Sequence, residues 1–170
     1  DANGDTPLHL AVIKGNLDIC KMIINAIHEK NPGNLDGVTP LHMAAQEGHL
    51  NICKWIIENV QNTNPGNIDG ETPFHAAAEG GYLDICKFIM ENIQDKNPKD
   101  GNGDTPLHLT AEKGNFDVSK LIIDGIQDKN PRNEDGVTPL HMAADEGHLN
   151  ICTLIIENVQ DKNPGNNDGH

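Results

Sequence analysis

Aromatic residues are scarce in this chain: Trp, Tyr and Phe make up 3% of 170 residues, and the apolar fraction is 36%. That is thin material for a single compact globule. Cations are scarce too, with 12 Lys and Arg against 26 Asp and Glu and a formal net charge of −14. Phosphate recognition needs clustered cations, so nucleic acid is excluded as a partner. An anionic membrane surface would repel the chain for the same reason. No apolar run approaches the ~18 residues of a membrane helix. Ser119 is the only serine, and no nucleophile pair, Gly-rich phosphate cradle, zinc spacing or paired-carboxylate motif stands out. Neither an enzyme nor a cofactor is expected. Residue 1 is Asp rather than Met, which suggests a fragment or a processed product.

Gly, Pro and Asn, by contrast, are plentiful and evenly spaced. Thr-Pro occurs at Thr6, Thr39, Thr72, Thr105 and Thr138, a constant step of 33 (39 − 6). His9, His42, His75, His108 and His141 keep that step, as do Gly15, Gly48, Gly81, Gly114 and Gly147. Gly4 begins another such series, which runs on to Gly169. The chain divides into units 1–33, 34–66, 67–99, 100–132 and 133–165, with the start of a sixth at 166–170. A longer period lies above the first. Residues 37–67 match 136–166 except at 46, 54, 55, 62 and 63, which points to duplication of a three-unit block.

Each unit reads as a turn followed by two helices. Asn3-Gly4 or Asp36-Gly37 supplies a turn in which Gly and Asn tolerate positive φ. Thr stands at an N-cap with Pro at the first helical position. In the second unit this helix runs from Pro40 to Glu47, and Gly48 ends it. Ala44 and Ala45 let a neighbouring helix approach. The second helix opens near Asn51, and Ile52, Cys53, Trp55, Ile56, Ile57 and Val60 give it a broad apolar face. Asn64-Pro65 then breaks the chain.

The run Gly-x-Thr-Pro-Leu-His-x-Ala-Ala-x-x-Gly-His at Gly37–His49, repeated at Gly136–His148, resembles the ankyrin repeat. The resemblance covers the whole chain. It implies an all-α solenoid of antiparallel helix pairs with projecting turn fingers, and a partner protein held by the finger tips and the inward side of the first helix. Family-equivalent positions here are Leu35, Asp36, Val38, Gln46, Glu47, Ile68, Asp69, Glu71, Glu79, Asp104, Glu112, Glu134, Asp135, Val137, Asp145 and Glu146. Lys14 and Lys113 are the cationic exceptions. So acidic a surface favours a neutral or basic protein. One departure stands out. Where the family places Gly after the second helix, this chain has Ile27, Val60, Ile93, Ile126 and Val159, then polar residues and Asn-Pro. A second helix about one turn longer, closed by Asn-Pro, is the expectation.

The remaining chemical groups have plain readings. Cys20, Cys53, Cys86 and Cys152 share one slot, with Ser119 in the fifth. Stacked helices lie ~8–10 Å apart, too far for a disulfide, so buried free thiols are expected. These suit an intracellular, cytoplasmic setting. The repeated histidines invite a metal, but each lies three residues after the capping Thr and within reach of the turn; the family gives this His a structural role. Trp55 shares its slot with Met22, Phe88, Leu121 and Leu154 and reads as core. Asp1-x-Asn3-Gly4-Asp5 and Asp100-x-Asn102-Gly103-Asp104 alternate oxygens as calcium loops do, although turn formation also accounts for them. Neither end looks like a polar cap: Val12, Ile13, Leu17 and Met22 at one end, and Leu149, Leu154 and Ile155 at the other, suggest end-to-end self-association as the alternative to a scaffold.

Overall fold

The computed structural model describes residues 2–167, so Asp1 of the first turn and Gly169 of the last lie outside the described residues. Among the described residues there are ten helices and no strand. They are α1 (Pro7–Ile13), α2 (Leu17–Ala26), α3 (Pro40–Gln46), α4 (Leu50–Ile57), α5 (Pro73–Glu79), α6 (Leu83–Asn92), α7 (Pro106–Lys113), α8 (Phe116–Gly125), α9 (Pro139–Asp145) and α10 (Leu149–Asn158). Each odd helix packs on the even helix that follows it. The odd helices also stack on one another in sequence, and so do the even ones. The result is a solenoid of helix pairs, as the 33-residue step implies.

The odd helices have seven or eight residues, far below the ~12–15 at which an isolated helix becomes even marginal. Local chemistry starts them and packing sustains them. Thr at the N-cap and Pro inside the first turn recur in all five, and His at the third helical position closes a capping box with the Thr. Small residues then allow close stacking. Ala44, Ala45, Ala77, Ala78 and Ala111 are buried, while Leu41, Phe74 and Leu107 fill the space between the two rows. On the even helices Ile24, Ile56, Ile89, Ile122 and Ile155 are completely buried.

The expected extra turn of the second helix is absent. α2 stops at Ala26, and Ile27 has φ −105 and ψ 153, extended backbone. Ile93, Ile126 and Val159 do the same after α6, α8 and α10, and α4 ends earlier still, at Ile57. The apolar residue in the family's Gly slot turns inward: Ile126 is 8% exposed, and Ile27, Val60, Ile93 and Val159 pack on the core. The last carbonyls are closed by side chains instead. Asn59, Asn92 and Asn158 amides donate to the carbonyls of Trp55, Phe88 and Leu154, each at 2.8 Å. Ala26 and Gly125 stand where those asparagines would be, and there Lys30 and Lys129 donate to the carbonyls of Ile24 and Ile123. Asn-Pro therefore does not close its own helix. Asn31, Asn64 and Asn130 accept the N–H of Leu41, Phe74 and Leu140 at 3.0, 3.1 and 3.0 Å, each ten residues on in the first turn of the next odd helix.

Candidate functional site

Four fingers are each built around one Asx side chain. Asn34 Oδ1 accepts from Asp36 N and Val38 N, at 3.0 and 2.9 Å. Asn67, Asp100 and Asn133 repeat the arrangement. Neighbouring fingers are tied by backbone bonds: Leu35 N to Asn3 O at 3.1 Å, Ile68 N to Asp36 O at 2.9 Å, and Glu134 N to Asn102 O at 3.0 Å. In the turn that resembles a calcium loop, one oxygen of Asp100 is taken by the amides of Asn102 and Asp104. Asp104 Oδ1 accepts from Asn133 at 2.8 Å. The matching turn in the first unit includes Asp1, outside the described residues. Among the described residues no group of three or more His, Cys, Asp or Glu is placed to hold a metal ion.

The histidines lock the finger bases. His75 Nδ1 accepts from Thr72 N at 3.1 Å, and its Nε2 donates to Asp104 O of the next finger at 3.1 Å. His9, His42 and His108 bridge in the same way to the carbonyls of Val38, Glu71 and Val137. A backbone N–H pointing at Nδ1 requires the neutral ring protonated at Nε2. Burial holds His42, His75 and His108 below the ordinary imidazole pKa, against the opposing pull of the carbonyl each one meets. With both nitrogens engaged, these rings are structural.

Cys20, Cys53, Cys86 and Cys152 are free; the first three are buried as expected, whereas Cys152, in the last unit, is half-buried because no further helix pair is stacked on it among the described residues. Burial pushes Cys53 and Cys86 up to about 12, so the thiolate is suppressed. In the fourth unit, Ser119 in the cysteine slot is matched by Thr110 where the others have Ala. Ser119 Oγ donates to Thr110 Oγ1 at 2.9 Å, and Thr110 Oγ1 donates to Leu107 O at 3.0 Å, with both side chains fully buried. The paired exchange keeps a buried hydroxyl satisfied.

The sixteen candidate binding residues occupy the tips and the C-terminal ends of the odd helices. Asp36, Gln46, Glu47, Asp69, Glu71, Glu79, Glu134, Asp135, Asp145 and Glu146 are exposed; Val38, Asp104, Glu112 and Val137 are half-buried. Leu35 and Ile68, at adjacent tips, are 75% and 69% exposed. Lys113 lies 2.9 Å from Glu112 and 3.4 Å from Glu79; among the described residues the other exposed carboxylates of the set are in no ion pair. Trp55 packs on the core as expected, with Lys21 over its ring. Of the apolar residues at the two ends, Val12 and Ile155 are fully buried within their own units, whereas Met22 and Leu149 are 66% and 78% exposed.

One residue escaped the sequence reading. Tyr82, at the α5–α6 corner, stands where other units have Asn16, His49, Asn115 and His148. Asn115 and His148 use that place to cap the preceding odd helix, donating to the carbonyls of Ala78 and Glu79 and of Glu112. The Tyr82 ring lies against Gly48, as His49 and His148 lie against Gly15 and Gly114, and it also lies against Gly80. The signal was present: the sole tyrosine, two residues after the one unit in which Gly replaces a charged residue at that slot.

Family models described as ankyrin repeats match the chain, in three-copy form over residues 23–100 and 92–167 and as a single repeat over 3–32. No curated protein matches it.

Proposed function

Because the chain belongs to the ankyrin-repeat family, whose repeats are in general protein-interaction scaffolds, we propose that it holds a neutral or basic partner protein across its finger tips and the ends of its odd helices. The observation that carries this reading is Leu35 beside Ile68. Two aliphatic side chains stand at adjacent tips, 75% and 69% exposed, with the exposed carboxylates Asp36, Asp69 and Glu71 in the same two fingers. The hydrogen bonds that tie these fingers to their neighbours use only their backbone amides, and the Leu35 side chain rests on Gly4. An apolar centre with a charged rim is how stable interfaces are organised. The carboxylates would speed encounter with a cationic partner and make it salt-sensitive. Affinity capture with the intact chain and with a Leu35→Ser/Ile68→Ser variant tests it. Proteins retained by the first, lost with the second and released by salt are the expected result; identical capture by both would remove this surface.

End-to-end association is the second reading. Ile19 is 42% exposed, whereas its counterparts Ile52, Ile85, Val118 and Ile151 are 2% exposed or less. With Met22 it leaves an apolar face at one end, and Leu149 is exposed at the other. A heterologous contact of this kind propagates into filaments. Sedimentation at rising concentration should show chains that lengthen and that Leu149→Lys abolishes; a monomer throughout would eliminate it.

A further inference from the structure

We propose that the Tyr82 ring, with Glu47 and Glu79 beside it, is the seat for a cationic side chain of the partner, arginine in preference to lysine. The inference rests on the scaffold reading and narrows it to the chemistry of one contact. Gly80 has φ −71 and ψ −11, a right-handed conformation open to any residue, and Lys14, Glu47, Lys113 and Glu146 fill the same slot in other units. What a side chain at 80 would lack is space. A Cβ there would strike Tyr82 Cε2 and lie 2.7 Å from Cδ2. The opposite edge of the ring rests on Gly48, where a Cβ would be 2.6 Å from Cε1. The ring therefore lies down on backbone between two glycines, and its polar counterparts' capping bonds are absent.

Although it is held between these glycines, Tyr82 is 36% exposed. The residues before the two glycines are Glu47 and Glu79, both exposed, so two carboxylates belong to the backbone on which the ring rests. Glu47 is exposed and in no ion pair among the described residues; Glu79 is shared with Lys113, which sits closer to Glu112. The negative face of an aromatic ring attracts a cation. The chain itself satisfies that attraction elsewhere: Lys21 stands 5.1 Å over Trp55, and Lys54 stands 5.4 Å over Phe88. Among the described residues no cation covers Tyr82. A planar guanidinium can stack on the phenol while its edge meets a carboxylate, which a compact ammonium does less well.

Tyr82 is the only tyrosine, so its ring signals in a tyrosine-labelled sample are unambiguous. The probes are tetra-arginine, tetra-lysine and tetra-glutamate amides, titrated at low salt and followed by NMR. The Tyr82 ring and the Gly80 amide should shift saturably with tetra-arginine, less with tetra-lysine, and not with tetra-glutamate. Tyr82→Leu should weaken tetra-arginine binding about two- to fivefold, the size of an exposed cation–π contact, with an unchanged melting curve. If that variant melts early, Glu47→Gln in the intact background carries the test and should weaken binding. Shifts confined to Asp36, Asp69 and Asp135, with the Tyr82 ring unmoved, would overturn the seat while leaving the scaffold reading in place. Loss of tip-dependent partner capture, with Tyr82 still responding, would do the reverse. No shift with any peptide also overturns the seat.

Discussion

Within one finger, Thr72 and His75 at the base and Ile68 and Asp69 at the tip are separated by a few residues, yet they obey opposite rules. At the base, Thr72 is 6% exposed and His75 is fully buried, and the same two residue types return in every unit. At the tip, Ile68 is 69% exposed, and its slot holds Leu35, Gly101 and Glu134 in neighbouring units. The base cannot vary, because the His9, His42, His75 and His108 rings each satisfy one backbone donor within their own unit and one acceptor in the next. The slot of Leu35 and Ile68 can vary, because the hydrogen bond it makes to the neighbouring finger comes from its backbone N–H. The difference separates what keeps the stack together from what is offered to a partner.

Acid should expose this division most strongly, since it acts on several bases at once. The folded-state pKa values of His42, His75 and His108 lie below the ordinary 6.5, so on acidification the unfolded chain takes up protons first. Their contribution is complete above pH 6.5 and is lost as pH falls through the folded values. Denaturant midpoints should drop between pH 7 and 5, and the Leu35→Ser/Ile68→Ser variant should drop in parallel. A flat profile would mean that the bases do not hold the stack.

Removing one base is the next largest change. His75→Ala leaves Thr72 N and Asp104 O without their partner in a fully buried site. We expect a loss of about 3 kcal/mol, measured by urea unfolding. The paired exchange in the fourth unit sharpens the point that buried polar groups come in sets. Thr110→Ala strands Ser119 Oγ and should cost about 1–2 kcal/mol. Adding Ser119→Cys recreates the Ala44 and Cys53 combination of the second unit and should recover most of it. Smallest of all, the Leu35→Ser/Ile68→Ser pair should change stability by about 0.5 kcal/mol or less while removing partner capture. A tip variant that unfolded the chain would erase the comparison altogether.

Much was legible in the sequence: the 33-residue step, the Thr-Pro starts, the turns, and the burial of Cys20, Cys53 and Cys86. The Thr-Pro starts and the turns depend on residues within a few positions of one another, and five copies of the same signal reinforce the reading. The end of the second helix was misread. Asn-Pro looks like a local stop, but Ile27 and its counterparts are drawn into the core first, and Asn31, Asn64 and Asn130 serve an amide ten residues ahead. Tyr82 was overlooked for a similar reason. Its orientation depends on Gly48, 34 positions earlier (82 − 48) and in the preceding unit, together with the space left at Gly80. The sequence by itself determined where each odd helix begins, because the Thr cap and the proline act through adjacent backbone. Only the tertiary structure decided where the second helices end and which ring faces solvent, because those outcomes depend on neighbours that stacking brings together.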